Sequence, residues 1–367
     1  KMENDNRKDN QEYSNPAETV AAQPGFTAPI SEIPEKHADQ PVEGLAPTLT
    51  GQLVPEPVEP APRPQRWTWL RNLLTNRRAQ IGIGIVTFFI LVAIFAPFIA
   101  PGDPQEFVDI PHQPPSAQHL FGTEGQGKDV FRQTVWGARI SLEIGFGTAV
   151  LTTLISVVIG MTAGYFRGRI DDVLTLLMNL FLVIPGLPLL IVLSAYLKPS
   201  TFTVILALAF TGWAFGARVK RAQTLTLREK DFVAAAAVSG QSHFGIIFKQ
   251  ILPNMSSLIM GSAVNAVIYA IAASTALAFL GLSNISDVTW GTNLYWAQNN
   301  NDLLVGAWWT FVPSGLCVAL VAFGLSLINY GMDEVTNPRL RAERELSHVA
   351  NEKRSRVRAT PVIERAH

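Results

Sequence analysis

Residues 140–166 read ISLEIGFGTAVLTTLISVVIGMTAGYF and contain one charged side chain, Glu143. Such a run exceeds the roughly 20 apolar residues that an α-helix needs to cross the hydrocarbon core of a bilayer. Because Glu143 lies near one end of the run, its carboxylate can reach interfacial water. The run therefore predicts a transmembrane helix, and it places the chain among α-helical membrane proteins.

Runs of similar character occur on both sides of this segment and predict an all-α integral membrane protein with six transmembrane helices. The predicted spans are residues 79–100, 140–166, 173–197, 202–217, 257–282 and 305–330. Pro185 and Pro188 interrupt the third span, which predicts a kink or break that faces protein rather than lipid.

Basic residues indicate which side of the predicted bundle faces the cytoplasm. Lys and Arg are concentrated before the first span, in the 218–256 loop and after the last span. By contrast, acids outnumber bases in the 101–139 loop, and the 283–304 loop has no base. Both termini are therefore predicted to be cytoplasmic, which agrees with an even number of spans.

Composition divides the chain into five segments. Residues 1–66 are rich in Pro and Glu and poor in apolar side chains, which predicts a disordered cytoplasmic tail. Residues 67–78 predict a basic amphipathic helix at the membrane interface, with a simple basic anchor for the next span as an equal alternative. Residues 79–139 then hold the first transmembrane helix and an external loop, 140–341 the core, and 342–367 a cytoplasmic C-terminal tail.

Several motifs that could indicate chemistry are interpreted as loop structure. Cys317 is the only cysteine, which excludes an internal disulfide framework and a cysteine-based zinc site. Residues 122–129 nearly spell a phosphate-binding loop, but Asp129 replaces the Ser or Thr that would hold magnesium. His112 and His119 share this external loop and are interpreted as polar surface. Since no nucleophile, base and acid occur together, we predict no catalytic residue, no metal site and no enzyme activity.

The predicted loop at residues 218–256 is the most informative part of the chain. Up to residue 254 it reads RVKRAQTLTLREKDFVAAAAVSGQSHFGIIFKQILPN. Thr226 and Glu229 have the form of a capping box. A short Ala-rich helix through Phe232 is predicted to follow.

Local signals in the second half of this loop predict another helix. Gly240 is expected to end the first helix with a positive φ. Ser242 is expected to cap a second helix, which Pro253 ends. The pattern predicts two short helices joined by a glycine turn, either as a dock for a partner or as a hairpin packed against the base of its own bundle.

Residues 230–254 resemble the EAA loop of binding-protein-dependent ABC importer permeases. In that family a Glu-Ala-Ala triplet precedes a Gly by a fixed step, and a Leu-Pro pair follows. The matching residues here are Ala235, Ala236, Gly240, Leu252 and Pro253, with Ala234 in place of the Glu. The resemblance implies that the loop docks into a groove on a cytoplasmic ATPase. The coupling residues it implies are Asp231, Phe232, Ala235, Ala236, Gly240, Phe244, Leu252 and Pro253.

The resemblance extends over about residues 79–341 and narrows to the dipeptide, oligopeptide and nickel permeases. The segments that carry it are LFGT at 120–123, GARISL at 137–142, ARV at 217–219, FLGL at 279–282, WG at 290–291 and NPRLR at 337–341. Asn337 stands where that subfamily usually has Asp.

Membership of that subfamily implies a type I ABC importer permease fold, with an extra first span outside a five-span core. It implies that the chain lies in the inner membrane of a bacterium or archaeon and moves its substrate by alternating access. The implied partners are a second homologous permease subunit, two cytoplasmic ATPases that bind ATP and Mg, an extracytoplasmic solute-binding protein and membrane lipid. It implies no cofactor in this chain and no nucleic acid.

Di- or oligopeptides are the expected cargo, with nickel chelates or oligosaccharides as alternatives. A secondary transporter with the same number of spans is the first rival. It is disfavoured because the predicted spans hold almost no ionisable side chains in their middles, where ion-coupled carriers usually place them. A membrane scaffold without a transport path is the second rival.

Overall fold

A computed structural model describes residues 73–336 of the chain. The predicted tails at 1–66 and 342–367, the motif at 337–341 and the first part of the predicted interfacial helix lie outside those residues. Within the described part the chain is helical, and its only β-type pairings are two isolated bridges, Phe107 with Lys128 and Thr123 with Asp129. The prediction of an all-α protein is confirmed.

We number the helices of the described part in chain order. They are α1 Arg77–Ile94, α2 Ala96–Ile99, α3 Val130–Phe166, α4 Gly168–Val183, α5 Gly186–Tyr196, α6 Thr201–Arg228, α7 Asp231–Val238, α8 His243–Ile246, α9 Leu252–Asn254, α10 Ser256–Phe279, α11 Trp290–Asn299 and α12 Val312–Thr336. A π-helical turn, Ile247–Ile251, joins α8 to α9, and a 3₁₀ turn, Trp308–Thr310, precedes α12.

Six spans are present when α4 and α5 are taken as one broken span. Helices α1, α3, α6, α10 and α12 are each long and apolar enough to cross a membrane. Helices α4 and α5 meet that criterion only together and are bent by 85° at a short break. Pro185 stands at the N-cap of α5, and Pro188 lies in its first turn, where a missing N–H costs no helical hydrogen bond. The predicted break is therefore confirmed.

Several predicted boundaries were wrong. Helix α3 begins at Val130, ten residues before the predicted start at 140, because the Asp129 side chain accepts a hydrogen bond from the Arg132 amide and caps it. Helix α6 continues to Arg228, well beyond the predicted end at 217. Arg77 and Arg78 belong to the first turn of α1 and not to an interfacial helix, since Asn76 caps α1 in front of them.

Helices α3 and α6 approach closely at two glycines of α3. A Cβ atom on Gly160 would lie 2.4 Å from the carbonyl oxygen of Ala217, and one on Gly164 would lie 2.7 Å from that of Arg221. Small residues four apart let two backbones come into contact, and in lipid such packing is a main source of helix association. Gly160 and Gly164 therefore fix where α6 crosses α3.

The loops at residues 101–129 and 280–311 pack together beside the start of α3, and we call them the cap. Trp290 is fully buried at its centre. Its indole N–H donates to the Thr134 carbonyl at 3.1 Å, and its backbone N–H donates to Ser141 Oγ at 3.1 Å. Its ring also meets the ring of Phe89 edge to face, with centroids 5.7 Å apart. One side chain thus joins α11 to both α3 and α1.

The stretch at residues 122–129 that resembles a phosphate-binding loop is part of the cap. Lys128 is buried, and its Nζ donates to Gln105 Oε1 at 2.8 Å, so it does not project towards an open anion site. Trp309 Nε1 donates to the Thr123 carbonyl from the other loop. The interpretation of this stretch as a turn leading into the second span agrees with its position.

Two carboxylates are buried inside the cap. Asp302 Oδ1 lies 2.7 Å from His112 Nε2, and Glu124 Oε2 accepts from Asn300 Nδ2 at 2.8 Å. The second oxygen of each carboxylate, Glu124 Oε1 and Asp302 Oδ2, has no partner among the described residues. Burial is the main cause that raises the pKa of Glu124, outweighing hydrogen bonds from the amides of Gln126 and Lys128.

We expect Gly160→Val to destabilise the bundle, because the added side chain would collide with the Ala217 carbonyl and push α6 away from α3. Overpacking of this kind costs about 1–3 kcal/mol. The measurement is the thermal unfolding midpoint in detergent. Gly84→Val is the matched control, since nothing lies within 4 Å of a Cβ at Gly84. Equal midpoints for the two variants would contradict the assignment of this contact.

At pH values above 7 we expect Glu124→Gln to raise the thermal unfolding midpoint. Near pH 4 we expect the same substitution to have little effect. A carboxyl whose pKa is raised by folding binds its proton more tightly in the folded state, so the free energy of unfolding falls as the pH rises past the ordinary value of 4.5. Glutamine removes that dependence and keeps the oxygen that Asn300 binds. The check is the difference between wild type and variant from pH 4 to pH 8; a difference that does not grow with pH refutes it.

Candidate functional site

The segment with the most local structure outside the spans is residues 231–254, which we call the hairpin. It consists of α7, a glycine turn, α8, the π-helical turn and α9. It follows α6 after two residues and precedes α10 after one, Met255. The hairpin lies at the opposite end of α3 from the cap, since it contacts Tyr165 in the last turn of that 37-residue helix.

The glycine turn has the geometry that its sequence predicts. Gly240 has a φ of +77°, its N–H donates to the Ala237 carbonyl, and the next amide, that of Gln241, donates to the Ala236 carbonyl. This pair of bonds is a Schellman motif, which favours glycine at the left-handed position. Ser242 Oγ then accepts from the Gly245 amide at 3.2 Å and caps α8. Both predictions for this turn are confirmed.

The capping box predicted at Thr226 and Glu229 was wrong. Thr226 lies within α6, and its hydroxyl donates back to the Ala222 carbonyl at 3.2 Å, a bond that lets Thr remain inside a helix. Glu229 instead binds Arg167 at 2.5 Å, beyond the end of α3. Helix α6 continues because the sequence between 218 and 228 contains no glycine or proline to stop it.

Pro253 does not end the second helix of the hairpin. The helix continues through Pro253 to Asn254, and the π-helical turn lies immediately before it. A proline inside an α-helix removes one amide donor and clashes with the carbonyl four residues earlier. In the π turn the Leu252 amide donates to the Ile247 carbonyl, five residues back, which alters the bonding register just before the proline.

One face of the hairpin packs against the end of α3. The buried residues of this inner face are Val233, Ile246, Ile247 and Ile251, which cluster with Met255, just beyond the hairpin, and with Met161 and Tyr165 of α3. Tyr165 Oη also lies 2.9 Å from His243 Nδ1. The inner face therefore holds the hairpin in a fixed position on its own bundle.

Four large apolar side chains of the hairpin stay outside this inner cluster and are exposed. Val238 is 90% exposed, Phe244 69% and Phe248 59%, and Phe232 adds a partly exposed ring. Several exposed large apolar side chains on one short segment indicate a surface where a partner or a membrane can pack. We call Phe232, Val238, Phe244 and Phe248 the outer face.

The eight residues predicted for coupling divide between the two faces and the turn. Asp231, Phe232, Ala235, Gly240 and Phe244 are exposed, whereas Ala236, Leu252 and Pro253 are half-buried. Ala236 and Leu252 pack against the inner cluster. Sequence reasoning missed Val238 and Phe248, although the buried and exposed apolar positions of this segment follow a helical spacing that could have separated the two faces.

Four basic residues predicted in a loop, Arg218, Lys220, Arg221 and Arg228, lie inside α6, and two of them bind neighbouring helices. Arg221 binds both carboxylate oxygens of Asp171, with the second bond at 2.7 Å, and so joins α6 to α4. Lys220 is 1% exposed and donates to Ser262 Oγ of α10 at 2.8 Å. Both residues lie beyond the predicted end of the fourth span at 217, in the last third of α6, and not in the middle of a span.

The described residues show no metal-binding cluster. Between residues 73 and 336 no three His, Cys, Asp or Glu side chains are grouped so that they could hold an ion. His112 faces Asp302, and His119 lies between Asp129 at 2.9 Å and Asp109 at 3.5 Å. Both histidines thus serve as partners of carboxylates in the cap.

Comparison with known proteins gives two family matches. Residues 156–342 match the family described as binding-protein-dependent transport system inner membrane component. Residues 65–115 match the N-terminal transmembrane domain of oligopeptide transport permease C.

Individual relatives are similar over most of their length. A putative peptide transport system permease protein of Brucella suis is 35% identical over 275 residues, which is 74% of this chain and 92% of the relative. The dipeptide transport system permease protein of Alkalihalophilus pseudofirmus is 32% identical over a region that covers 79% of this chain and 97% of the relative. The oligopeptide transport system permease protein of Bacillus subtilis is 33% identical over 73% of this chain and 87% of its own.

Proposed function

This chain belongs to the family of binding-protein-dependent transport inner membrane components, as a permease subunit of an ABC transporter, and we propose that its cargo is a di- or oligopeptide. The names of its relatives from Brucella suis, Alkalihalophilus pseudofirmus and Bacillus subtilis support peptides over nickel chelates or oligosaccharides. We further propose a complex with a second homologous permease subunit, two cytoplasmic ATPases that bind ATP and Mg, and an extracytoplasmic solute-binding protein.

The outer face of the hairpin is the observation that carries the proposed coupling. Its exposed rings, Phe244 and Phe248, and the methyl groups of Val238 suit a hydrophobic groove on a folded partner. The Ala-rich α7 beside them has little side-chain bulk, so a partner surface can approach its backbone. The ATPase is the proposed occupant, and the residues we propose for docking are Asp231, Phe232, Ala235, Ala236, Val238, Gly240, Phe244, Phe248, Leu252 and Pro253.

Docking at this face sets the orientation that we propose for the chain. With the hairpin in the cytoplasm, the cap faces the solute-binding protein, and both termini are cytoplasmic. The distribution of basic residues supports the same orientation, since the 283–304 loop of the cap has none.

Alternating access then requires the ATPases to favour one state of the permease over the other. Reversing a two-state equilibrium from mostly one state to mostly the other takes roughly 5–6 kcal/mol of differential binding. A hairpin that merely binds equally well in both states supplies none of it. The ATPase groove must therefore change shape when ATP binds, and the hairpin must move with it.

We expect replacement of the outer face by Val238→Ser, Phe244→Ser and Phe248→Ser together to abolish co-purification with the ATPases in detergent. Fully burying each large side chain contributes about 1.5–3 kcal/mol, so the loss of three removes about 4.5–9 kcal/mol and lowers affinity by more than about a thousandfold. Leu304→Ser, at an equally exposed position of the cap, is the matched control and should retain the ATPases.

A chain with residues 231–249 scrambled serves as the fully disrupted reference in the same experiment. Loss of ATPase from the scrambled and triple variants, with retention by Leu304→Ser, supports docking at the outer face. Retention by the scrambled chain would show that the hairpin is not the dock. Absence of any ATPase from the wild-type preparation would overturn the proposed complex itself.

We expect Gly240→Pro to uncouple ATP hydrolysis from uptake. Proline fixes φ near −65°, whereas this turn needs +77°, so α7 and α8 cannot keep their relative orientation. The measurement is peptide uptake per ATP hydrolysed in proteoliposomes that contain the complete complex. Gly240→Asn, which tolerates a positive φ, is the control and should stay near wild type. Normal uptake by the proline variant would refute the role of the turn.

A further inference from the structure

A cavity of about 510 Å³ lies among the spans, in the half of the bundle nearer the hairpin. Helices α3, α4, α6, α10 and α12 all contribute to its wall. Cavities of this size hold small ligands, and in proteins they are typically apolar with a few well-placed polar groups. The break between α4 and α5 is close by, because Leu182, two residues before the end cap at Ile184, lines the same wall.

Lys220 provides a cation on this wall. Its ammonium has three N–H groups, and the structure gives it two acceptors among the described residues, Ser262 Oγ at 2.8 Å and the Gly216 carbonyl at 3.5 Å. The ion pairs recorded between residues 73 and 336 do not include it. Removing an ammonium from water is unfavourable, and a neutral hydroxyl and a distant carbonyl replace its hydration only in part. An anion that enters the cavity would supply the missing partner.

A second polar residue, on α3, lies in the wall of this cavity. Thr152 of α3 lines the wall and is 7% exposed, and its hydroxyl has no hydrogen-bond partner among the described residues. Space beside Lys220 is also kept open, since a Cβ on Gly216 would lie 3.3 Å from its Nζ.

The cavity also borders one acid. Asp333 of α12 lines it, is exposed, and takes part in none of the recorded ion pairs of the described residues. Lys220 and Asp333 thus give the wall a positive and a negative group on different helices. A free peptide presents the complementary pair, a carboxylate at one end and an ammonium at the other.

We propose that Lys220 binds the terminal carboxylate of the peptide as it passes through the bundle. This inference rests on the proposed peptide transport and adds a specificity-determining residue to it. Lys220 donates its free N–H to the carboxylate while Ser262 continues to accept from the same ammonium. Ser262 can do so because its own hydroxyl proton is donated to the Ile259 carbonyl at 2.8 Å.

The test is uptake of a labelled dipeptide and of its C-terminal amide by the complete transporter in phosphatidylcholine vesicles. Both substrates are supplied at concentrations that load the solute-binding protein equally. Lys220→Met should lower uptake of the free dipeptide about tenfold, the equivalent of about 1.4 kcal/mol, and leave uptake of the amide unchanged. Lys220→Arg, which keeps the charge, should retain the preference for the carboxylate.

Two controls separate this role from a structural one. Lys198→Met removes an exposed lysine between α5 and α6 and should behave as wild type. Methionine at position 220 conserves the side-chain volume, so Lys220→Met should keep its unfolding midpoint and its ATPases. If Lys220→Met loses its unfolding midpoint or its ATPases, the proposal is tested with Lys220→Arg instead. That variant should prefer the free dipeptide over the amide, and loss of the preference counts against the proposal.

The remaining outcomes each overturn the inference in a recognisable way. Equal uptake of the free dipeptide by wild type and Lys220→Met overturns it and leaves peptide transport intact. An effect of Lys220→Met that is the same for dipeptide and amide, and that appears only when anionic lipid is added, assigns Lys220 to a lipid phosphate instead. No uptake of either substrate by wild type overturns the proposed function together with this inference.

Discussion

The close contact between α3 and α6 is the constraint on which the rest of the bundle depends. Between helices in lipid there is no hydrophobic driving force, so association relies on backbones that come near enough for dispersion contacts. Gly160 and Gly164 allow that approach, and a larger side chain at either position would meet the backbone of α6. The crossing brings Lys220 to the wall of the cavity and Arg221 to Asp171, and it sets the direction in which α6 delivers the chain into the hairpin.

The two ends of α3 carry different kinds of structure, and each follows from what surrounds it. At the cap the chain is irregular, and Trp290 together with buried carboxylates holds it in place through hydrogen bonds. At the hairpin the inner face is apolar and the outer face is left exposed. The proposed function fits such a division, in which one end would receive a solute and the other would meet the ATPases. The hairpin's inner contacts, including that between Tyr165 and His243, make it part of the bundle and not a loose tether.

Single-sequence reasoning predicted the features that depend on local chemistry or on the bilayer. The six apolar runs were recognisable because hydrocarbon tolerates little else, and Gly240 was recognisable because few other residues adopt its φ. It misplaced the end of α6, because Lys220 and Arg221 look like loop residues when their partners are unknown. Those partners, Ser262 and Asp171, lie far away in sequence and come close only in the folded bundle.

The link between the hairpin and α10 is a joint of one residue. Met255 alone interrupts the helical path between Asn254 and Ser256, and it is buried against α3. A joint this short and this enclosed cannot stretch, so a displacement of the hairpin is transmitted directly to the start of α10. Ser262 lies two turns along α10, about 10 Å from Met255 at 1.5 Å per residue. The hairpin and the hydroxyl that accepts from the ammonium of Lys220 are therefore joined by one residue and two turns of a single helix.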